Sequence, residues 1–373
     1  MLTVKEQIFK QIERARAILI VFPMDWRPDA VSAALGLFLA LKKTGKTVEV
    51  AAAEPLTNPL VSKELLAFLP GSSEIKYQLE HLRRFIVSLD ISTTKVSQIK
   101  YVVENNQLNF IVSPEDGWFE PGDVSTKAGE FRFDLIITIG ADDLESLGGI
   151  YDNNIEFFYK TPVINISCQA ANEEFGQINM IDLGSATISE LVFQLLKERD
   201  NFLFDENIAT NLLAGIILKT KNFKTGPLTP ETLMTTSELI SLGARREEIV
   251  NQLYRSRRIS DLKLWGRVLS GLKITELDSI AWSWLKPEEL NDLDLNEESL
   301  KDLVEELIVN LPDTKILLII AEKDENLSEL FAFSIKNTNA LEFLKKYSPR
   351  GDARYAQAIS DQGVKKIIQD LVG

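Results

Sequence analysis

The chain has 373 residues, 45% hydrophobic and 26% charged, with a net charge of −14. That is the make-up of a globular protein too long for one ordinary core, and an acidic surface that repels phosphates argues against broad nucleic-acid binding. One cysteine excludes an internal disulfide, and a single histidine, His81, cannot furnish a zinc site or a histidine-rich hydrolytic centre. No apolar run is long enough to span a bilayer and the N-terminus lacks the apolar core of a signal peptide, so the chain reads as cytoplasmic, with no membrane partner.

In chain order, residues 4–16 predict a helix with Val4, Ile8, Phe9 and Ile12 on one side. The continuous apolar run Ala17–Phe22 predicts a strand covered on both faces. After the loop Pro23–Pro28, a helix from about Asp29 to Lys43 is apolar nearly all round and stops at Gly45, and Thr47–Ala53 predicts a second strand. Residues 84–90 and 99–112 read as strands, the latter pair joined by an Asn-Asn turn, and the Pro- and Gly-bearing stretch 113–131 reads as a loop. Phe133–Gly140 and Pro162–Ile166 predict further buried strands. Each is followed by a polar loop, and the second leads to a helix whose face carries Ile188, Leu191, Val192, Leu195 and Leu196. Thr187-Ile-Ser-Glu190 predicts a capping box for that helix. The rhythm of strand, loop and helix implies a parallel sheet with right-handed crossovers.

Residues 207–259 read as helical, with Thr229-Pro230-Glu231 as a helix start and a basic cluster at Arg255, Arg257 and Arg258. A second domain is expected from about residue 260. It includes strands at 315–320 and 330–335 joined by an acidic turn, then a helix at 339–347. Charge is uneven: residues 276–330 hold sixteen acidic against four basic residues, and basic zones lie on either side at 219–258 and 331–373. Solvated helix faces explain such zones without a ligand.

The order of motifs resembles the DHH family of phosphoesterases, in the branch that degrades very short oligonucleotides and dephosphorylates phosphoadenosine phosphate. Pro23–Ala30 lies where the family has His-x-Asn-Pro-Asp-Gly-Asp-Ala. Asn165-Ile166-Ser167-Cys168-Gln169-Ala-Ala-Asn172 stands where the family has Asn-Ile-Asp-His-His-x-x-Asn, and Phe175-Gly176, Asn179 and Ser185-Ala-Thr187 follow as they do there. Gly215-Ile-Ile-Leu-Lys219-Thr220 and Thr229-Pro-Glu-Thr232 match the later motifs. The resemblance covers nearly the whole chain except 84–131. It implies an α/β fold: a parallel-sheet DHH domain with flanking helices over 1–259, including a helical linker at about 229–259, then a smaller α/β C-terminal domain with a mixed sheet over 260–373. It also implies a homodimer.

The family's chemistry needs two divalent ions, usually manganese, held by Asp and His. Here the ligand positions read Pro23, Arg27, Gly140, Ser167-Cys168-Gln169 and Lys219, with Asp29 as a remnant. No metal, no cofactor and no catalytic residue is therefore expected. A cation from Lys219 beside Asp29 is one way to replace the missing positive charge; a Lys219 that simply extends to solvent is the equal alternative. Asp25, Asp29, Asp142 and Asp143 follow strand ends and offer a minimal magnesium or manganese site as the alternative, with helix caps and turns as their structural role. Cys168 reads as an idle thiol. The resemblance implies substrate binding by Asn172, Lys336, Arg350 and Arg354, although the family's Gly-rich loop is here Arg350-Gly351-Asp352-Ala353-Arg354. Three readings follow. The first is an inactive member binding a nucleotide, a short single strand or a protein partner in the interdomain cleft. The second is a residual metal-dependent phosphodiesterase or phosphatase. The third is a structural scaffold.

Overall fold

The computed structural model describes residues 2–54, 66–199, 204–224, 228–254, 259–275, 279–290, 300, 303–304, 314–336 and 338–372. The basic cluster at 255–258, Asn337 and much of the acidic stretch lie outside the described residues. Two compact units divide between Gln252 and Leu253.

In the first unit, helix α1 (Val4–Arg14) opens on a Thr3–Glu6 capping box and buries Ile8, Phe9 and Ile12. Strands β1 (Ala17–Val21) and β2 (Thr47–Ala51) flank helix α2 (Pro28–Lys42). An excursion follows, with β3 (Arg83–Leu89), β4 (Val96–Glu104), β5 (Gln107–Pro114) and β6 (Val124–Phe131). The chain then returns through β7 (Leu135–Ile139), two short helices, α3 (Gly149–Asp152) and α4 (Ile155–Lys160), β8 (Val163–Ser167) and β9 (Ile178–Ile181). Helices α5 (Ile188–Lys197), α6 (Glu206–Lys219) and α7 (Pro230–Ser241) come next, and the unit ends within α8 (Arg246–Tyr254).

The main sheet runs β2-β1-β7-β8-β9, all parallel. Leu19, Val21, Ile136 and Val163 pack against Leu147, Ile150, Phe157 and Phe158 of the α3–α4 region. Helix α2 packs on α5 and α6 and is buried around its circumference, which explains its lack of a polar face.

Two expectations change here. Residues 113–131 are not wholly a loop, because Val124–Phe131 pairs antiparallel with β3. Its Gly129 hides the signal: a Cβ there would lie 2.9 Å from the Arg84 carbonyl, so close approach demands glycine in this strand. The predicted capping box at α5 is only half formed. Thr187 accepts from the Glu190 N–H, but the buried Glu190 carboxylate accepts from the Thr232 hydroxyl at 3.0 Å and so ties α5 to α7. Burial pushes the Glu190 carboxyl up.

The second unit holds helix α9 (Ile259–Ser270), β10 (Lys273–Ile274), β11 (Ile280–Leu285), α10 (Pro287–Leu290), β12 (Ile316–Asp324), β13 (Leu327–Ser334), β14 (Arg350–Gly351) and β15 (Tyr355–Ser360), and closes on a helix at Val364–Leu371. Its sheet order is β10-β11-β12-β13-β15-β14, mixed because β11 and β12 alone run parallel. Alternate residues serve two cores: Leu317, Ile319, Phe331 and Phe333 face Leu264 and Val268 of α9, while Leu318, Ile320 and Leu330 face Leu344, Val364 and Ile367. Among the described residues no helix is long and apolar enough to cross a membrane.

Candidate functional site

Because β1 lies beside β7 and β7 beside β8, the loops after these three strands meet at the C-terminal edge of the main sheet. This edge is where open α/β sheets gather their chemistry. The first loop is shaped by Trp26, which is buried at φ +49°. Its indole N–H donates to the Ala53 carbonyl at 2.9 Å, and its ring meets Phe22 edge-on and stacks on Tyr77. That anchor turns the chain so that Arg27 stands at the start of α2 with Pro28 in the first turn.

Arg27 is the hub. Its Nη1 and Nη2 donate to the two oxygens of Asp142 at 3.0 and 2.6 Å, and its Nε donates to Asp25 at 2.7 Å. Nη1 also reaches the Gly140 carbonyl at 3.3 Å. The forked pairing with Asp142 raises an already high guanidinium pKa, against the opposing effect of burial. Asp143 is a turn residue, accepting from the Ser146 N–H at 2.6 Å.

Asp29 is buried and serves a different end. Its carboxylate accepts from the N–H groups of Ile188 and Ser189, at 2.7 and 3.1 Å, and from the Ser189 hydroxyl at 2.8 Å. It thus caps α5 from α2. Burial pushes its carboxyl up, while these donors and the charge of Lys219 pull it back. Among the described residues Lys219 forms no ion pair with Asp29. Of the two readings of Lys219, a direct ion pair with Asp29 is not formed: the α5 N-terminus satisfies the buried carboxylate, Lys219 acts on it only through its charge, and Arg27 cross-links this edge. Gly215 permits the arrangement, since a Cβ there would fall 1.9 Å from Ser189 Oγ.

A cavity of about 210 Å³ opens beside this network, lined by Arg27, Asp29, Gln169, Ile188, Leu218 and Lys219. Ser167 is buried at the end of β8 and its hydroxyl accepts from the Gln169 N–H at 3.2 Å. Burial, and next the charge of Asp29, push the Cys168 thiol up to about 11, so it is no thiolate at neutral pH. Asn172 lies one step further along the loop. Its amide nitrogen donates to Ala141 at 2.6 Å, and its oxygen accepts from Asn165 at 2.8 Å and from the Glu174 N–H at 2.9 Å. His81 stands elsewhere, lining a hollow of about 500 Å³ with Arg83, Arg84, Phe85, Ile86 and Arg132.

No family model matches the chain. A bifunctional oligoribonuclease and phosphoadenosine-phosphate phosphatase of Thermus thermophilus is 33% identical over 108 residues, 29% of this chain and 33% of that protein. An uncharacterized protein of Mycoplasma genitalium is 29% identical over 123 residues, 33% of this chain and 37% of that protein. The matched region thus spans about a third of the length of these curated relatives. An exopolyphosphatase-related protein of Bacteroides fragilis shares the fold, with a TM-score of 0.60 at 17% identity over 98% of this chain and 93% of the other.

The chain thus has the fold of that exopolyphosphatase-related protein and, over about a third of its length, is similar to a DHH-family phosphoesterase. Two divalent ions do not fit the residues at this sheet edge. Asp25 and Asp142 are tied to a guanidinium, Asp29 has both oxygens engaged by α5, and Ser167 and Gln169 carry no charge. Among the described residues no three His, Cys, Asp or Glu side chains gather as a metal cluster. Gly140 sits at φ +73°, and a Cβ there would lie 2.7 Å from Ile188 Cδ1 and 2.9 Å from Ala30 Cβ. Putting an aspartate at this position is therefore more than a change of charge. Gly140→Asp is expected to cost roughly 2–3 kcal/mol through left-handed strain and overpacking, read as a lower urea midpoint at unchanged slope. An unchanged midpoint would show that the loop accommodates the side chain.

In the second unit, Arg350, Arg354 and Lys336 are exposed. The loop they border is filled from within: Asp352 Oδ1 accepts from the N–H groups of Arg354 and Tyr355 at 2.7 and 2.9 Å. Backbone N–H groups of such a loop are what a phosphate would use. In the sequence Arg27 stood only as a departure from the resembled motif; the signal it carried was a cation within reach of Asp25 and Asp142.

Proposed function

We propose that this DHH-fold chain binds a phosphorylated ligand, a nucleotide or the end of a short single strand, without hydrolysing it. The observation that carries this is the Arg27 guanidinium held between Asp25, Asp142 and the Gly140 carbonyl. A fixed internal cation takes over the charge balance of this edge, so the carboxylates need no metal for it. It activates no water, because a guanidinium is neither a Lewis acid nor, at neutral pH, a base. The adjoining cavity, with Lys219 on its wall, matches a phosphoryl or sugar-phosphate group rather than a whole nucleotide, given pockets of roughly 300–1,000 Å³ for drug-sized ligands.

The test is fluorescence anisotropy with a labelled trinucleotide and calorimetry with phosphoadenosine phosphate, each with and without EDTA, alongside product analysis with manganese present. Binding undiminished by EDTA, no release of product, and roughly tenfold weaker binding in Lys219→Ala are expected. Manganese-dependent release of mononucleotides would overturn the proposal in favour of residual hydrolysis. A scaffold role is the second reading, favoured by Asp352 filling its own loop, and absence of both binding and turnover would select it.

A further inference from the structure

The excursion between β2 and β7 contains a surface that the phosphoesterase fold does not explain. Hairpin β4–β5 turns tightly through Asn105 and Asn106, both at positive φ, as a two-residue turn of this hand requires. Its register places Ile99 opposite Val112, Tyr101 opposite Phe110 and Val103 opposite Leu108. Because side chains alternate, all six fall on one face. Ile99, Tyr101, Val103, Leu108 and Phe110 are each 54% to 71% exposed. The reverse face is largely polar, with Gln98, Lys100, Glu104, Gln107, Asn109 and Ser113, and Val102 and Ile111 as its apolar members. Amphipathicity is therefore fully developed, yet the apolar side is open.

An isolated two-stranded ribbon is marginal in water, and its strand edges invite pairing. At roughly 150–250 Å² for a large side chain, these five residues leave on the order of 600 Å² of apolar surface open. That is at the upper end for a monomer and approaches the roughly 800 Å² per partner of a stable interface.

We propose that this face pairs with the same face of a second copy of the chain. Two observations select that occupant. First, the pattern is self-complementary: an aromatic row, Tyr101–Phe110, lies between two aliphatic rows, Ile99–Val112 and Val103–Leu108. For a twofold axis lying between stacked hairpins, along the strands or across them, aromatic row meets aromatic row and aliphatic meets aliphatic. A closed, isologous contact follows. Second, the hairpin is neutral in a chain of net charge −14: Val96–Pro114 carries one lysine and one glutamate, Lys100 and Glu104, both on the reverse face. Approach through this face avoids the self-repulsion that a chain of −14 otherwise opposes to its own copy. The surface belongs to the segment that lies outside the family resemblance, so it is independent of the phosphate site.

Sedimentation equilibrium of the full chain tests this. The wild-type chain should be dimeric at micromolar concentration. Tyr101→Lys combined with Phe110→Lys should weaken the dimer by at least about 100-fold, because like charges then meet at its centre. Mixing that variant with a chain carrying Tyr101→Glu and Phe110→Glu should restore a dimer, a readout that general misfolding cannot produce. Lys100→Gln, on the reverse face, should leave the dimer intact. A wild-type chain that stays monomeric at about 100 µM, corresponding to an association too weak for a specific interface, overturns the proposal. So does a lysine variant that dimerises like wild type. A monomer that instead binds neutral phosphatidylcholine vesicles through Tyr101 and Phe110 would reassign the face to a lipid surface.

Discussion

Replacing Asp29 by alanine is expected to destabilise the first unit by about 3 kcal/mol or more, the largest effect of any single change at this edge. The carboxylate is buried and accepts from three donors of α5, two backbone N–H groups and the Ser189 hydroxyl. Alanine leaves all three without this acceptor, and each such loss at a buried site costs about 1–3 kcal/mol. Asp29→Asn keeps one acceptor oxygen and the shape, but sets an N–H₂ group against an α5 donor, so its cost should be smaller.

Asn also tests the protonation behaviour. Burial holds the Asp29 carboxyl above its ordinary value, so the folded chain binds this proton more tightly than the unfolded chain. The resulting stability is present at low pH and is lost as pH rises from about 4 through the raised value. Asp29→Asn should remove that decline, seen as a variant-minus-wild-type difference in urea midpoint that rises with pH across the acid range. A difference that grows in the opposite sense would mean that the α5 donors outweigh burial.

Removing Arg27 tests the other half of the edge. Arg27→Ala is expected to cost about 1–3 kcal/mol, because Asp25 and Asp142 lose a partner that makes three charge-assisted hydrogen bonds with them. The site is half-buried rather than closed, so solvent recovers part of the loss and the effect stays below that of Asp29→Ala. Arg27→Lys should recover little, since an ammonium cannot span both oxygens of Asp142 while holding Asp25. Equal stability of Arg27→Lys and wild type would mean that charge alone, without the fork, satisfies the carboxylates.

The strands of the main sheet were legible because parallel strands buried on both faces write themselves as unbroken apolar runs, as Ala17–Val21 and Leu135–Ile139 do. Strand β9 was not, since four residues at an edge with Asn179 among them carry too little pattern. Strand β11, Ile280–Leu285, went unread because its apolar residues stand within the most acidic stretch of the chain. At the site, Arg27, Gly140 and Ser167–Gln169 could be read only as departures from the resembled motifs. The contacts they make could not. The Arg27–Asp142 pairing joins residues 115 positions apart and exists only because β1 lies beside β7. The choice between the two readings of Lys219 was not legible for a related reason: Asp29 meets the N-terminus of α5 across 159 positions, a partner that no local pattern announces.

The proposed function rests on the Arg27 guanidinium supplying the positive charge that balances the carboxylates of this edge. It is tested most directly by titrating the full chain with manganese in a calorimeter, with wild type and Arg27→Ala in parallel. No saturable heat up to about millimolar manganese is expected from the wild-type chain, because its Asp25 and Asp142 are engaged by Arg27 and its Asp29 by α5. Saturable manganese binding to the wild-type chain at micromolar concentration, with Arg27 in place, would contradict the account.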